Sequence, residues 1–213
     1  MGEIILIRHG QANSTARSEA EYDRLSDHGH KQARWLGDWL RDHEAPFDRV
    51  LSGTMRRHRE TAAGLGVTAE EDARLNEIDY FVLADQMSRD HALPRPGGDD
   101  WHHHMATTFA TWKDGRVAGA EPYAAYESRV GAVLAEAAAP GRRVLCVTSG
   151  GIIGMAVRLA LGLPLDRLPD VLLPVGHTSV TRLRVRPEGL QLFAFNAYPH
   201  FERDGRLPSR TWF

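Results

Sequence analysis

Three short polar runs in this chain each stand where an apolar stretch stops: Arg8-His9-Gly10, Ser52-Gly53-Thr54 and Thr148-Ser149-Gly150-Gly151. A histidine so placed can attack through one ring nitrogen when the other gives its proton to a fixed acceptor. An arginine beside it can hold an oxyanion in a two-point fork that lysine does not reproduce. The second and third runs precede helical patterns, whose first free N–H groups form an anion site. These residue types in these places point to chemistry on a phosphate group. Taken alone, an Arg-His-Gly tripeptide reads rather as a loop whose histidine satisfies a neighbour, so only the surrounding chain can favour the chemical reading.

The elements that must position these runs are legible in the apolar pattern. Ile4-Ile5-Leu6-Ile7 is a β-branched run stopped by Gly10, as expected of a strand buried on both faces of a parallel sheet. From the N-cap Ser26, the residues Ala33, Leu36, Trp39 and Leu40 recur at helical spacing up to Pro46, which predicts a helix over 27–43. Val50-Leu51 predicts a second strand, with a helix over 54–64 in its wake. Pro122 reads as the first residue of a helix in which Tyr123, Tyr126, Val130, Val133, Leu134 and Ala137 share a face until Pro140-Gly141. A strand over 144–148 passes through Ser149-Gly150-Gly151 into a helix over 152–161, and alternation over 179–185 and 190–195 predicts two closing strands. Strands alternating with helices give an α/β fold with a mostly parallel sheet, and ligands of such sheets gather beyond the carboxyl ends of the strands. The three polar runs can therefore meet in one pocket.

Between Leu75 and Ala120 the pattern loosens, with Pro94, Pro96, Gly97 and Gly98 interrupting helical pieces around 101–112. This stretch, 80–120, is read as an excursion covering the site within a single domain over 1–213, with His91, Arg95, Trp101, Phe109 and Trp112 shaping the entrance. His102-His103-His104 does not read as a metal site, because neighbours on a helix diverge and ligand pairs sit three or four residues apart. Trp35 and Trp39 read as helix-packing residues. Gly150-Gly151 lacks the rest of a dinucleotide-binding glycine run.

Composition sets the frame around these motifs. The 213 residues, 42% hydrophobic and 25% charged, suit a soluble domain with a full core. A formal net charge of -2 argues against nucleic acid or an acidic membrane as a partner, so anion specificity has to be local. The lone Cys146, inside the apolar run Val144-Leu145-Cys146-Val147, reads as a buried thiol in a reducing compartment. No stretch has the length of a membrane span, and the first apolar strand is entered by Ile4 without signal-peptide features. Met1-Gly2 is not a myristoylation signal, since Leu6 stands where Ser or Thr is needed. The expected location is cytoplasmic.

At this point the chain resembles a known family from end to end, the histidine phosphatase superfamily or phosphoglycerate mutase-like group. Arg8-His9-Gly10-Gln11 is similar to its N-terminal signature, and Leu25-Ser26, Gly29, Gln32-Ala33 and Leu36-Gly37 resemble the helix after it. Ser52-Gly53 with Arg57-His58-Arg59-Glu60-Thr61-Ala62 resembles the segment of the second phosphate-binding arginine, and register from Thr61-Ala62 assigns that role to Arg57. Leu75-Asn76-Glu77 matches the place of the acid that protonates the leaving oxygen, with Asp79 a rival, and Phe195-Asn196 with His200 resembles the C-terminal end. The resemblance implies a single-domain three-layer α/β sandwich and metal-independent, cofactor-free hydrolysis of phosphomonoesters on a small phosphorylated metabolite. In it His9 takes the phosphoryl group, Glu77 protonates the leaving alcohol, water cleaves the phosphohistidine, and Arg8 and Arg57 meet the phosphoryl charge.

One position departs from the family. A second histidine is expected where this chain has Ser149-Gly150, and a serine hydroxyl donates but stays neutral. Loss of one preorganised donor costs roughly 10²–10³ in turnover. Ser149 does not read as a nucleophile, because its surroundings lack the Gly-x-Ser-x-Gly elbow. With Gln11 and Gly150 it is a candidate substrate contact, and His177 either leans in to replace part of the lost function or simply caps a strand. The alternative to a phosphatase is a phospho-ligand binding or regulatory protein with faded catalysis. A phosphomutase ranks behind both, since no dedicated segment for retaining the intermediate is evident.

Overall fold

The computed structural model describes residues 2–13, 15–97, 100–203 and 205–212. Gly98, one of the interruptions expected between 94 and 98, lies outside the described residues. Its centre is one sheet with strands β1 (Glu3–Arg8), β2 (Arg49–Ser52), β3 (Glu70–Glu71), β4 (Arg143–Thr148), β5 (Val180–Arg186) and β6 (Gly189–Ala197). The spatial order is β3-β2-β4-β1-β5-β6. β1, β4, β2 and β3 pair parallel, whereas β5 and β6 are added antiparallel at one edge.

β1 sits inside the sheet and every residue from Ile4 to Ile7 is buried, as its uninterrupted apolar run requires. Alternate side chains serve opposite layers. Ile4 and Leu6 join one core cluster with Phe109, Tyr126 and Ile153; Ile5 and Ile7 join another with Leu36, Leu40, Ala62 and Leu65. Removing each of these aliphatic side chains from water contributes roughly 1.5–3 kcal/mol. Helices α2 (Asp27–His43) and α3 (Arg56–Leu65) supply the second layer, and α5 (Trp101–Lys113), α6 (Tyr123–Ala137) and α7 (Gly150–Leu161) the first. This is the expected α/β sandwich.

The register brings the polar runs together. Arg8 lies opposite Thr148 across β1 and β4, and Ser52 opposite Val147 across β2 and β4, so three strands end at one level. α2 follows Ser26, whose hydroxyl accepts from Gly29 N at 3.0 Å, and spans the predicted residues.

Elsewhere the structure differs in detail. α3 starts at Arg56, two residues after the predicted start, and closes on a left-handed Gly66. Pro122 is extended (φ -66, ψ 147) and precedes α6, so Tyr123 is its first helical residue. Within the loosened stretch α4 (Tyr80–Asp90) is regular, begun by Asp79, whose carboxylate accepts from Val82 N, and anchored by Leu83, Ala84 and Met87. A single helical turn, α1 (Glu19–Tyr22), precedes α2, and α8 (Leu168–Leu172) follows α7. Trp35 packs edge-on against Phe201, as a helix-packing residue should.

Candidate active site

Beyond the carboxyl ends of β1 and β4 opens a cavity of about 430 Å³; of the three polar runs, Ser52-Gly53-Thr54 after β2 does not line it. Arg8, His9, Arg57, Glu77, Gly150 and Gly151 belong to its lining. His9 is buried, and its Nδ1 lies 2.8 Å from the carbonyl oxygen of Gly10. With the proton on Nδ1 and donated there, Nε2 keeps its lone pair. Burial, and after it the guanidiniums of Arg57 and Arg8, hold the His9 pKa well below the usual imidazole value, so the ring is neutral at physiological pH.

The backbone under His9 is fixed from the start of the neighbouring strand β5. Thr178 N–H donates to the carbonyls of Arg8 at 3.1 Å and His9 at 3.3 Å. To do so Thr178 takes a left-handed conformation (φ 55), an unusual one for a β-branched residue. Such a residue carries on the order of 1–3 kcal/mol of strain and persists only where its surroundings over-determine it. Here they do: the Thr178 hydroxyl lies 2.7 Å from His177 O and 2.9 Å from the His200 ring, and His200 is itself buried. The Asn196 side chain fastens the preceding loop, accepting from Gly176 N and donating to Pro174 O. The C-terminal residues singled out in sequence thus brace the catalytic candidate.

Arg57 is 1% exposed although it sits among exposed arginines on α3. Its guanidinium pairs with Glu19 at 2.6 Å and Asp23 at 3.1 Å and lies 5.1 Å from the Tyr22 ring centroid. The Asp23 carboxylate also accepts from the backbone N–H groups of Arg56 and Arg57, capping a helix whose own N-cap, Met55, has no side chain for it. This contact orders α1. Burial raises the Glu19 pKa, and the Arg57 charge opposes that shift without cancelling it.

Glu77 reaches the cavity because the Thr148 hydroxyl holds Leu75 O at 2.6 Å, drawing the segment onto the end of β4. One carboxylate oxygen accepts from Gly151 N at 2.7 Å and the other from Ile78 N at 3.1 Å. A Cβ at 151 would fall 2.2 Å from Glu77 Oε1, so a side chain there would push the carboxylate from its place. The rival acid Asp79 is engaged in starting α4 and is not part of the cavity wall.

Gln11, Ser149 and His177 stand behind the wall. The Gln11 carboxamide accepts from the Ser26 hydroxyl at 2.9 Å. The His177 ring is 5.6 Å from the His9 ring, and its Nδ1 lies 2.9 Å from the Thr211 hydroxyl. Ser149 is buried at the start of α7, 2.6 Å from Nε2 of His58, a histidine to which the sequence reading gave no role. A signal for it existed: His58, Thr61, Ala62 and Leu65 recur at helical spacing and are the buried stripe of α3.

The rest of the lining is mostly apolar and includes Ile78, Phe81, Trp101, Met105, Phe109 and Leu172. Arg95 is also in the lining, its guanidinium 4.5 Å from the Phe81 ring centroid, while two residues expected at the entrance are not: His91 turns toward Arg116 O, and Trp112 is buried against Tyr123 and Tyr126. Much of the lining, including Phe81, Trp101, Met105 and Phe109, comes from the stretch 80–120. His102 pairs with Asp170 and His104 with the Tyr80 hydroxyl, and among the described residues no cluster of three or more His, Cys, Asp or Glu could hold a metal ion.

A model of the histidine phosphatase superfamily (branch 1) matches residues 4–197. Among curated proteins, the mitochondrial serine/threonine-protein phosphatase Pgam5 of Drosophila virilis is 28% identical over 195 residues, covering 87% of this chain and 59% of its own length. The chain therefore spans about six-tenths of that relative. Among solved structures, an open reading frame product of Mycobacterium tuberculosis superposes with a TM-score of 0.69 at 25% identity, covering 92% of this chain and 98% of its own. A mycobacterial glucosyl-3-phosphoglycerate phosphatase does so with 0.67 at 25% identity, covering 92% and 100%.

Proposed function

Since the chain belongs to the histidine phosphatase superfamily, we propose that it is a metal-independent phosphoric monoester hydrolase working through a phosphohistidine on His9. The observation that carries the reading is the arrangement around one nitrogen. His9 Nδ1 is tied to Gly10 O, and the other face of the ring belongs to a cavity that also holds Arg8, Arg57 and Glu77. A neutral imidazole attacks phosphorus in line; the bond to the ester oxygen breaks, and Glu77 gives that oxygen a proton. Water then attacks the phosphohistidine, with the Glu77 carboxylate as base, returning His9 and releasing inorganic phosphate. Arg8, Arg57 and the Gly150 N–H at the start of α7, whose neighbour Gly151 N is given to Glu77, answer the charge on the phosphoryl oxygens.

The mostly apolar lining of the cavity speaks for a small phosphorylated metabolite with an apolar or aromatic body. Gln11 and His177 act from behind the wall in this reading, setting the loop and the His9 backbone rather than touching the ester. Among the described residues no helix is long and apolar enough to cross a membrane. A cytoplasmic location is kept as part of the proposal, although the Pgam5 relatives are mitochondrial by name.

The test is hydrolysis of nitrophenyl phosphate by wild type and His9→Ala, with phosphate release measured alongside. Turnover and stoichiometric phosphate from wild type alone are expected. Equal background rates in both proteins would leave the phospho-ligand binding reading in its place, and accumulation of an isomerised phosphoester without phosphate would indicate a mutase.

A further inference from the structure

We infer that His58 takes over the part of the histidine missing at position 149, acting through the Ser149 hydroxyl as a positioning residue. The inference rests on the phosphatase reading above and concerns how this chain completes its phosphoryl site.

His58 is 0% exposed on α3, and its ring centroid lies 5.7 Å from that of His9. Neither His58 nor Ser149 is part of the cavity lining, but Ser149 directly precedes Gly150 and Gly151, which are, so of the two it is the Ser149 hydroxyl that stands next to the site. His58 Nε2 lies 2.6 Å from Ser149 Oγ, while among the described residues Nδ1 has no hydrogen-bond partner. Room for the ring is made by Gly53, where a Cβ would fall 2.1 Å from Nδ1.

The unpartnered Nδ1 selects the tautomer. A buried N–H with nothing to donate to is the rarest kind of unsatisfied group, so the ring proton belongs on Nε2. Nε2–H then donates to Ser149 Oγ. A hydroxyl has one hydrogen and two lone pairs, so accepting from His58 leaves the Ser149 hydrogen to be given elsewhere. Capping does not take it: Ser149 stands at the N-cap of α7 but makes no side-chain cap hydrogen bond. Its neighbours Gly150 and Gly151 line the cavity. The path Nε2–H to Oγ–H to phosphoryl oxygen follows, a chain in which each bond polarises the next. No proton changes owner, and the hydroxyl becomes an oriented donor to charge that grows in the transition state.

A base–nucleophile pair would look similar in distance but needs the opposite tautomer and a third group orienting the histidine. Nδ1 of His58 has no such partner among the described residues.

The experiment uses nitrophenyl phosphate and the full chain, with melting temperature read for every variant. Ser149→Ala should lower kcat by about 10²-fold with a smaller change in KM, the loss of one oriented donor. His58→Ala should lower it nearly as far, and the double variant no further, since both remove the same donor. His58→Gln, whose amide nitrogen can occupy the Nε2 place, should stay within about tenfold of wild type. The combination His58→Ala with Ser149→His, returning an imidazole to the position emptied of it, should recover most of the activity lost in His58→Ala. Unchanged kcat in folded His58→Ala would overturn the inference, and so would losses that multiply in the double variant or acid-stable phosphate found on Ser149. If His58→Ala does not fold, Ser149→Ala and His58→Gln carry the comparison, and a His58→Gln loss as deep as that of Ser149→Ala overturns it. Failure of the phosphatase reading is seen separately, as wild type no faster than His9→Ala. The relay is then read from binding of inorganic phosphate, which Ser149→Ala and His58→Ala must weaken equally; unequal effects overturn it.

Discussion

Glu77→Gln separates a proton donor from a structural carboxylate, because the two roles predict different dependence on the leaving group. Glu77 accepts two backbone hydrogen bonds, from Gly151 N and Ile78 N. Glutamine has one oxygen to offer, so one of these N–H groups loses its charged acceptor and faces an amide NH₂. That costs roughly 1–3 kcal/mol of local stability, and for a chain of this size each kcal/mol lowers Tm by about 2–4 °C. The chemical effect is larger and selective. An alkyl phosphate must have its leaving oxygen protonated, and removal of the general acid should cost about 10²–10⁴-fold in kcat/KM, or about 2.7–5.4 kcal/mol. Nitrophenolate leaves as a stable anion, so nitrophenyl phosphate should lose less than about tenfold in the first step. The assay is kcat/KM for both esters in wild type, Glu77→Gln and Asp79→Asn. The ratio between esters should open by at least about tenfold in Glu77→Gln and stay unchanged in Asp79→Asn, whose parent carboxylate starts α4. Equal losses for both esters in Glu77→Gln would refute the acid role and leave Glu77 as a brace for the start of α7.

Two further expectations follow from charge and burial. Glu19 holds the Arg57 guanidinium that a phosphate needs, so Glu19→Gln should tighten competitive inhibition by inorganic phosphate about tenfold, the effect of ~1.4 kcal/mol from one removed like charge; an unchanged inhibition constant would show that Glu19 and phosphate do not compete. The pKa values of buried His9, His58, His177 and His200 all lie below the ordinary imidazole value, mainly through burial, and that of His200 falls to about 3. Each therefore favours the folded state above a pH of about 6.5, and that contribution is lost as pH falls toward the depressed folded-state values. Stability should then drop below about pH 6.5 by roughly 1.4 kcal/mol per histidine per pH unit. Urea midpoints that stay flat from about pH 8 to about pH 5 would contradict the burial of these rings as neutral groups.

What could be read in advance was whatever burial writes into the residue pattern. β1 and β4 are buried on both faces and therefore apolar without interruption, and α2 carries both its N-cap and its apolar stripe, so their places and the convergence of the runs after them were evident. β3 was not, because its two residues are exposed glutamates, held by pairing with β2 and by Arg49 on Glu70. α1 is too short to show a period, and its order comes from Glu19 and Asp23 reaching Arg57 across the fold. α4 was hidden by weighing Asp79 as a catalytic acid instead of as the residue that starts a helix. At the site, His9, Arg57 and Glu77 follow from strand ends and motif register. His58 stood in plain view on the buried stripe of α3, but it lies between Arg57 and Arg59, and the motif register there drew the assignment to Arg57. Its meeting with Ser149, which lies 91 positions away, is a fact of tertiary structure alone.

The central claim is that His9 carries the phosphoryl group, and the direct measurement is to catch it there. Wild type and His9→Ala are mixed with a labelled phosphomonoester, stopped with base within one turnover, and examined by peptide mass spectrometry and by the stability of the label. The account predicts label in wild type alone, on the peptide containing His9, stable to base and released by mild acid, as a phosphoramidate is. Rapid turnover by wild type with no labelled peptide, or label that survives acid on Ser149 or any other residue, would contradict it.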